Sequence, residues 1–169
     1  QEAKVIGRIN DPRVVQLLDT GQTDDGLPFF VMEHLEGISL TQAFANQSPM
    51  PVPRLLRIAR QMLSGLSAAH ALDIIHRDIK PDNVILTTED GVVDSVKMLD
   101  FGIAKMVGEA PPHTLVQTAR GIVLGTPEYL PPEIALDLPV TPATDLYALG
   151  VILFEGLTGR LPFNATNAA

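Results

Sequence analysis

Four residues of this sequence could act together on one reacting group. Asp78, Lys80 and Asn83 fall in the short string His76-Arg77-Asp78-Ile79-Lys80-Pro81-Asp82-Asn83, and Asp100 follows Asp78 by 22 positions, at the head of Asp100-Phe101-Gly102. A carboxylate can take up or orient the proton of an attacking hydroxyl. An ammonium two residues on can stabilise negative charge that develops beside it. An amide oxygen and a second carboxylate are hard donors suited to magnesium. Singly, each residue has a plainer reading, since Asp and Asn form turns and a histidine among apolar neighbours usually packs in a core. Their joint occurrence favours chemistry over turn geometry.

The elements that must position these residues are legible as periodicity. Ala3, Ile6 and Ile9 recur at three-residue steps, the spacing of one helical face, before Asn10-Asp11-Pro12 ends it. Residues 14–18 and 28–32 flank the turn cluster Thr23-Asp24-Asp25-Gly26 and predict an antiparallel hairpin whose strands are apolar enough to be buried. From Pro53 onward, Leu55, Ala59, Met62, Leu66 and Ala69 fall on one face of a long amphipathic helix. Val84-Ile85-Leu86 and Val96-Lys97-Met98-Leu99, around Glu89-Asp90-Gly91, predict a second hairpin between the reactive string and Asp100. The stretch from there to Leu130 lacks periodicity, and a loop that long in a compact domain is normally functional. Prolines 131, 132, 139 and 142 punctuate a short helix; residues 143–157 form the most apolar helix, closed by Gly159 as a left-handed cap. Asp145 at its start suits a capping acid at the positive end of the dipole. Strands come early and helices late, which is the pattern of an α+β fold.

Composition narrows the function classes. The 169 residues carry 12 Lys and Arg against 20 Asp and Glu, a net charge of −8, which disfavours broad attraction to nucleic-acid polymers or anionic lipid. The absence of cysteine excludes disulfides, thiolate metal sites and thiol nucleophiles, and fits a reducing compartment, so a cytoplasmic location is the expectation. The longest apolar run, residues 146–154, is far short of the roughly 20 residues of a membrane span and reads as a buried helix. Neither end looks like a natural terminus, so both are expected to be cuts, and membrane anchoring of a longer parent stays open.

The reactive string and the Asp-Phe-Gly that follows it resemble the catalytic loop and metal-binding segment of the protein kinases, in particular the bacterial eukaryotic-like serine/threonine branch. Gly125-Thr126-Pro127-Glu128-Tyr129 and Pro131-Pro132-Glu133 resemble the end of that family's activation segment. The resemblance covers essentially the whole chain. It implies ATP as phosphoryl donor, Mg²⁺ or Mn²⁺ held by Asn83 and Asp100, Asp78 acting on the Ser/Thr hydroxyl of a protein substrate, and Lys80 on the transferring phosphate. It implies an incomplete N-lobe over residues 1–32, a hinge over 33–37 and an incomplete C-lobe over 38–169. Met32 falls at the gatekeeper, the backbone groups of Glu33 and Leu35 would meet adenine, and Ile85 would form the apolar floor. Glu2 takes the place of the helix C glutamate, His76 and Phe101 pack in a spine with Ile6 and Leu17, and Asp145 holds the catalytic-loop backbone. Thr126 faces the substrate and Glu133 closes the segment. Arg77 would pair with a phosphate in the activation segment, first at Thr118 and second at Thr114. A homodimer for phosphorylation in trans stays open.

Two features of the pattern are missing. No two glycines sit two apart, so the Gly-rich phosphate loop is absent, and so is the strand lysine that should pair with Glu2. Both would precede the first residue, which implies a fragment of an active kinase and a poor catalyst as it stands. The rival reading is a kinase-like scaffold that binds partners without transfer. A small-molecule phosphotransferase is disfavoured by Lys80 and by the segment from Gly125 to Glu133.

Overall fold

The computed structural model describes residues 9–101, 127–136 and 138–163. Strands β1 (Leu17–Gln22) and β2 (Pro28–Met32) form an antiparallel hairpin. Its turn is fixed by the Gly26 N–H bond to the Thr23 carbonyl at 2.8 Å and by Gly26 at φ 85°, a left-handed geometry that glycine adopts without a Cβ penalty. A second sheet has the order β3-β4-β5, with β3 at Gly37–Ser39, β4 at Val84–Glu89 and β5 at Val92–Met98, all antiparallel. The helices are α1 (Leu40–Asn46), α2 (Val52–His70), α3 (Pro132–Ala135) and α4 (Pro142–Thr158). This is the expected α+β arrangement.

The core lies where the stripe of α2 meets the second sheet and α4. Leu55, Ile58, Ala59, Met62, Leu66 and Ala69 of α2 are all buried, beside Val84, Val96 and Met98 of the sheet and Ala148, Leu149 and Ile152 of α4. Gly156 brings α4 against α2, because a Cβ there would lie 2.8 Å from a Leu55 methyl. Helix α2 also grips β5 from the side. Arg54 makes a two-pronged pair with the buried Asp94 at 2.8 and 2.9 Å, and the Gln61 amide bonds the Asp94 carbonyl at 2.8 Å and the Val96 N–H at 3.2 Å. These bonds occupy the free edge of β5, whose unpaired backbone groups would otherwise invite another strand.

Several expectations need correction. The first hairpin is only partly covered: Phe30 packs against the core, but Leu18, Phe29, Val31 and Met32 are exposed, since no second layer lies over them among the described residues. Strand β1 starts at Leu17, and Val14 and Val15 instead run beside the end of β5, with Met98 N–H to Arg13 O at 2.7 Å and Val15 N–H to Met98 O at 3.0 Å. The run from Leu146 to Phe154 is buried on one face only, with Leu146 and Phe154 exposed. Helix α4 is capped by Thr141 in a reciprocal box with Thr144, not by Asp145. Strand β3 and helix α1 were not anticipated. The proposed helix over residues 2–9 lies almost wholly outside the described residues, and so does most of the aperiodic stretch before Leu130.

Two substitutions on α2 separate its faces. Leu66→Ala should cost about 2–5 kcal/mol of unfolding free energy, whereas Leu63→Ala, on the exposed face, should stay within about 0.5 kcal/mol of wild type. Urea titration of both variants reads the difference, and equal losses would contradict this packing.

Candidate active site

The loop between α2 and β4 carries the reactive string, and its shape is set from below by one carboxylate. Asp145, only 1% exposed, accepts the His76 N–H at 3.0 Å, the Arg77 N–H at 2.9 Å and the His70 Nε2–H at 2.7 Å. A carboxylate can be buried at acceptable cost when its oxygens are filled in this way. Arg77 between these bonds has φ 67°, a left-handed conformation that costs a non-glycine residue energy and persists only where its surroundings impose it. The two N–H bonds to Asp145 supply that constraint.

His76 is fully buried, and each ring nitrogen has a partner. Nε2–H donates to the Leu99 carbonyl at 2.7 Å, while Nδ1 accepts the Asp78 N–H at 3.3 Å. That pairing requires the neutral ring, and burial holds its pKa below the ordinary histidine value despite the opposing pull of Asp145 and Asp78. The ring packs against Phe101 with centroids 4.5 Å apart. The histidine thus couples the loop to the end of β5.

Above this base the reactive groups converge. Lys80 Nζ donates to Asp78 Oδ2 at 2.9 Å, and Asn83 Nδ2 donates to the Asp78 carbonyl at 2.8 Å and to Oδ2 at 3.1 Å. The Asp78 side chain is 55% exposed, so its second oxygen can face an incoming group. The Leu99 N–H bonds the Asn83 carbonyl at 2.9 Å, which sets the exposed Asp100, itself at φ 54°, beside Asn83. The Asn83 amide nitrogen is spent on Asp78, leaving its oxygen as a donor to metal. One amide oxygen and one carboxylate suit magnesium, which takes few protein ligands when phosphates supply the rest.

The other expected residues fall as follows. Ile85 is half-buried on β4 opposite Lys97, Met32 ends β2 with its side chain exposed, and Glu33 and Leu35 lie half-buried in the connection to β3. Glu133 accepts the Thr144 hydroxyl at 2.7 Å, joining α3 to α4. Tyr129, not singled out beforehand, is buried and donates to Glu155 at 2.5 Å; burial first and that bond second hold its hydroxyl well above the usual phenol range. It walls a cleft of ≈ 20 Å³ with Arg77, Asp78 and Lys80, room for about one water and not for a nucleotide. His70 was also missed, because its partner is 75 residues away and leaves no local signature. Glu2, Ile6, Thr114, Thr118 and Thr126 lie outside the described residues.

Comparison with known proteins gives the class. The protein kinase domain family matches residues 1–169, so the chain belongs to the protein kinase family. More narrowly, the relatives it resembles are bacterial serine/threonine-protein kinases. It is 42% identical to the serine/threonine-protein kinase pkn3 of Myxococcus xanthus over 168 residues, 99% of this chain and 30% of that protein. It is 38% identical to PknL of Mycobacterium tuberculosis over 99% of this chain and 39% of that protein. The chain therefore spans less than half the length of these relatives. Among solved structures it resembles the Mycobacterium tuberculosis PknI kinase domain, with TM-score 0.72 and 26% identity over 95% of this chain and 56% of that one. It also resembles Rad53 in complex with AMP-PNP, with TM-score 0.76 and 27% identity over 99% of this chain and 39% of that one.

The neutral buried histidine has a measurable consequence. As pH falls through about 6.5, the unfolded chain takes up a proton that folded His76 resists, so stability is lost on the acid side and kept above it. Urea midpoints at two pH values bracketing that range should differ less in His76→Phe than in wild type. An equal pH dependence would contradict the neutral assignment.

Proposed function

We propose that this domain transfers the γ-phosphoryl group of ATP to Ser or Thr hydroxyls of a protein substrate. The observation that carries the reading is the triangle of Asp78, Lys80 and Asn83, tied to Asp100 through the Leu99 N–H bond to Asn83. Such transfer asks little covalent chemistry of a protein; it needs an aligned hydroxyl and neutralised phosphate charge. The Asp78 carboxylate accepts the hydroxyl proton as the hydroxyl oxygen attacks phosphorus, the bond to the β–γ bridging oxygen breaks, and ADP leaves. Lys80 stands beside the same carboxylate and bears on the equatorial oxygens. When bound, Mg²⁺ or Mn²⁺ supplies neutralisation of the nucleotide phosphates, and Asn83 Oδ1 and the Asp100 carboxylate are the groups that would hold it.

The partition of labour follows the chain. Residues 1–32 contribute part of an N-lobe, 33–37 a hinge, and 38–169 most of a C-lobe. Adenine would lie between the backbone of Glu33 and Leu35 and the side chain of Ile85, with Met32 at the rear. Relatives named serine/threonine-protein kinases at about 40% identity support the hydroxyl specificity. No helix among the described residues is long and apolar enough to cross a membrane. Thr118 and then Thr114 remain the proposed regulatory phosphosites, read by Arg77. A homodimer would let one copy phosphorylate the other.

The test is incorporation of labelled γ-phosphate from Mg-ATP into a Ser/Thr-rich protein by the full-length protein. Asp78→Asn should lower the rate by about 10²–10⁴-fold while nucleotide binding, read by fluorescence titration, persists. Asp100→Ala should also remove the magnesium dependence of binding. Equal rates for wild type and Asp78→Asn would overturn the role of Asp78, and a folded wild type without transfer would overturn the reading as a whole.

A further inference from the structure

Lys97 is buried, 8% exposed, on the strand that leads to Asp100. Its ammonium bonds both oxygens of Glu33, at 3.0 and 3.2 Å, and has a second acid, Glu89, at 3.6 Å. Glu33 is in turn locked to the start of the first hairpin. The Gln16 N–H donates to its Oε1 at 2.9 Å, and the Glu33 N–H donates to the Gln16 carbonyl at 3.0 Å. One carboxylate therefore joins the residue before β1, the connection after β2, and β5. Lys97 is also the register partner of Ile85, so both side chains rise from the same face of the sheet.

A buried lysine near the end of a strand is an expensive way to gain stability. Ion pairs taken out of water often contribute no more than an apolar residue of the same size. Glu33 keeps some access to solvent, so its carboxylate would not be stranded if Lys97 were lost. What the pair does fix is geometry, since it ties Glu33 to the residue that pairs in register with Ile85. We propose that Lys97 is a positioning residue that sets the hinge for adenine: through Glu33 it fixes the backbone groups that read the purine edge relative to the Ile85 floor. This rests on the nucleotide-binding reading above. Lys97 itself touches neither phosphate nor substrate. Its loss should weaken binding of the base and blur the choice between ATP and GTP, with little effect on the chemical step.

The test uses the full-length protein with Lys97→Met, Lys97→Arg and the charge exchange Lys97→Glu with Glu33→Lys. In each, Kd for ATP and for GTP, KM for ATP, kcat and the thermal midpoint are measured. Lys97→Met should raise Kd and KM for ATP about tenfold and narrow the ATP-to-GTP preference, with kcat changed less than about twofold, as expected when binding uniform to ground and transition states is removed. Lys97→Arg should recover most of the affinity, and the charge exchange a smaller part of it, because a lysine at position 33 cannot accept the Gln16 N–H. Unchanged ATP affinity in Lys97→Met, or a loss confined to kcat, would overturn the proposal while wild-type transfer leaves the kinase reading standing. A fall in affinity matched by an equal fall for GTP and a lowered thermal midpoint would also overturn it, as the mark of a merely structural lysine. Absence of nucleotide binding in folded wild type would remove both readings together.

Discussion

The rest of the site hangs on the carboxylate of Asp145. It is a charge deep in the core, on a helix otherwise among the most apolar stretches of the chain, and it is tolerable there only because three donors converge on it. Two of those donors are consecutive backbone amides of the loop. They hold Arg77 in its left-handed conformation and so decide the direction in which Asp78 leaves the core. The third donor, His70, is the last residue of α2, so the same carboxylate joins the two long helices beneath the loop.

From that anchor the constraint passes upward through neutral groups. The His76 ring accepts the Asp78 N–H on one nitrogen and donates its own N–H to the Leu99 carbonyl from the other, and the Leu99 N–H in turn donates to the Asn83 carbonyl. The closed circuit runs from loop to the end of β5 and back. Proton acceptor, lysine, asparagine and the acid at Asp100 are thereby fixed as a set, which is the condition for charge-stabilising groups to act without reorganisation. The exposed Asp78 and Asp100 side chains stand at the rim of this circuit, where a substrate and a nucleotide could reach them.

The reactive string was legible in the sequence because its members are neighbours in the chain, as were α2, α4 and the second hairpin, whose apolar spacing is regular. Strand β3 and α1 were not read, although Ser39 and Gln42 carry the capping-box spacing that the structure realises. Three and seven residues are too few for periodicity to register. Asp145 was ambiguous from spacing alone: an acid in the first turn of a helix looks like a dipole partner, and its hold on the loop, which the kinase resemblance implied, is made with a segment 68 residues away. The pairs Arg54 with Asp94 and Lys97 with Glu33 are equally long-range. The first hairpin misled because apolar strands signal burial, while cover has to come from elsewhere in the fold.

The most direct measurement is the rate of phosphate transfer at saturating Mg-ATP by the full-length protein carrying Asp145→Asn. The amide keeps the size of the side chain but turns one acceptor into a donor that opposes the loop N–H groups. If Asp145 sets the loop, transfer should slow by about 10²-fold, the penalty of a small misplacement at the reacting centre, in a protein that still folds and binds nucleotide. A folded variant that transfers phosphate at the wild-type rate would contradict the account.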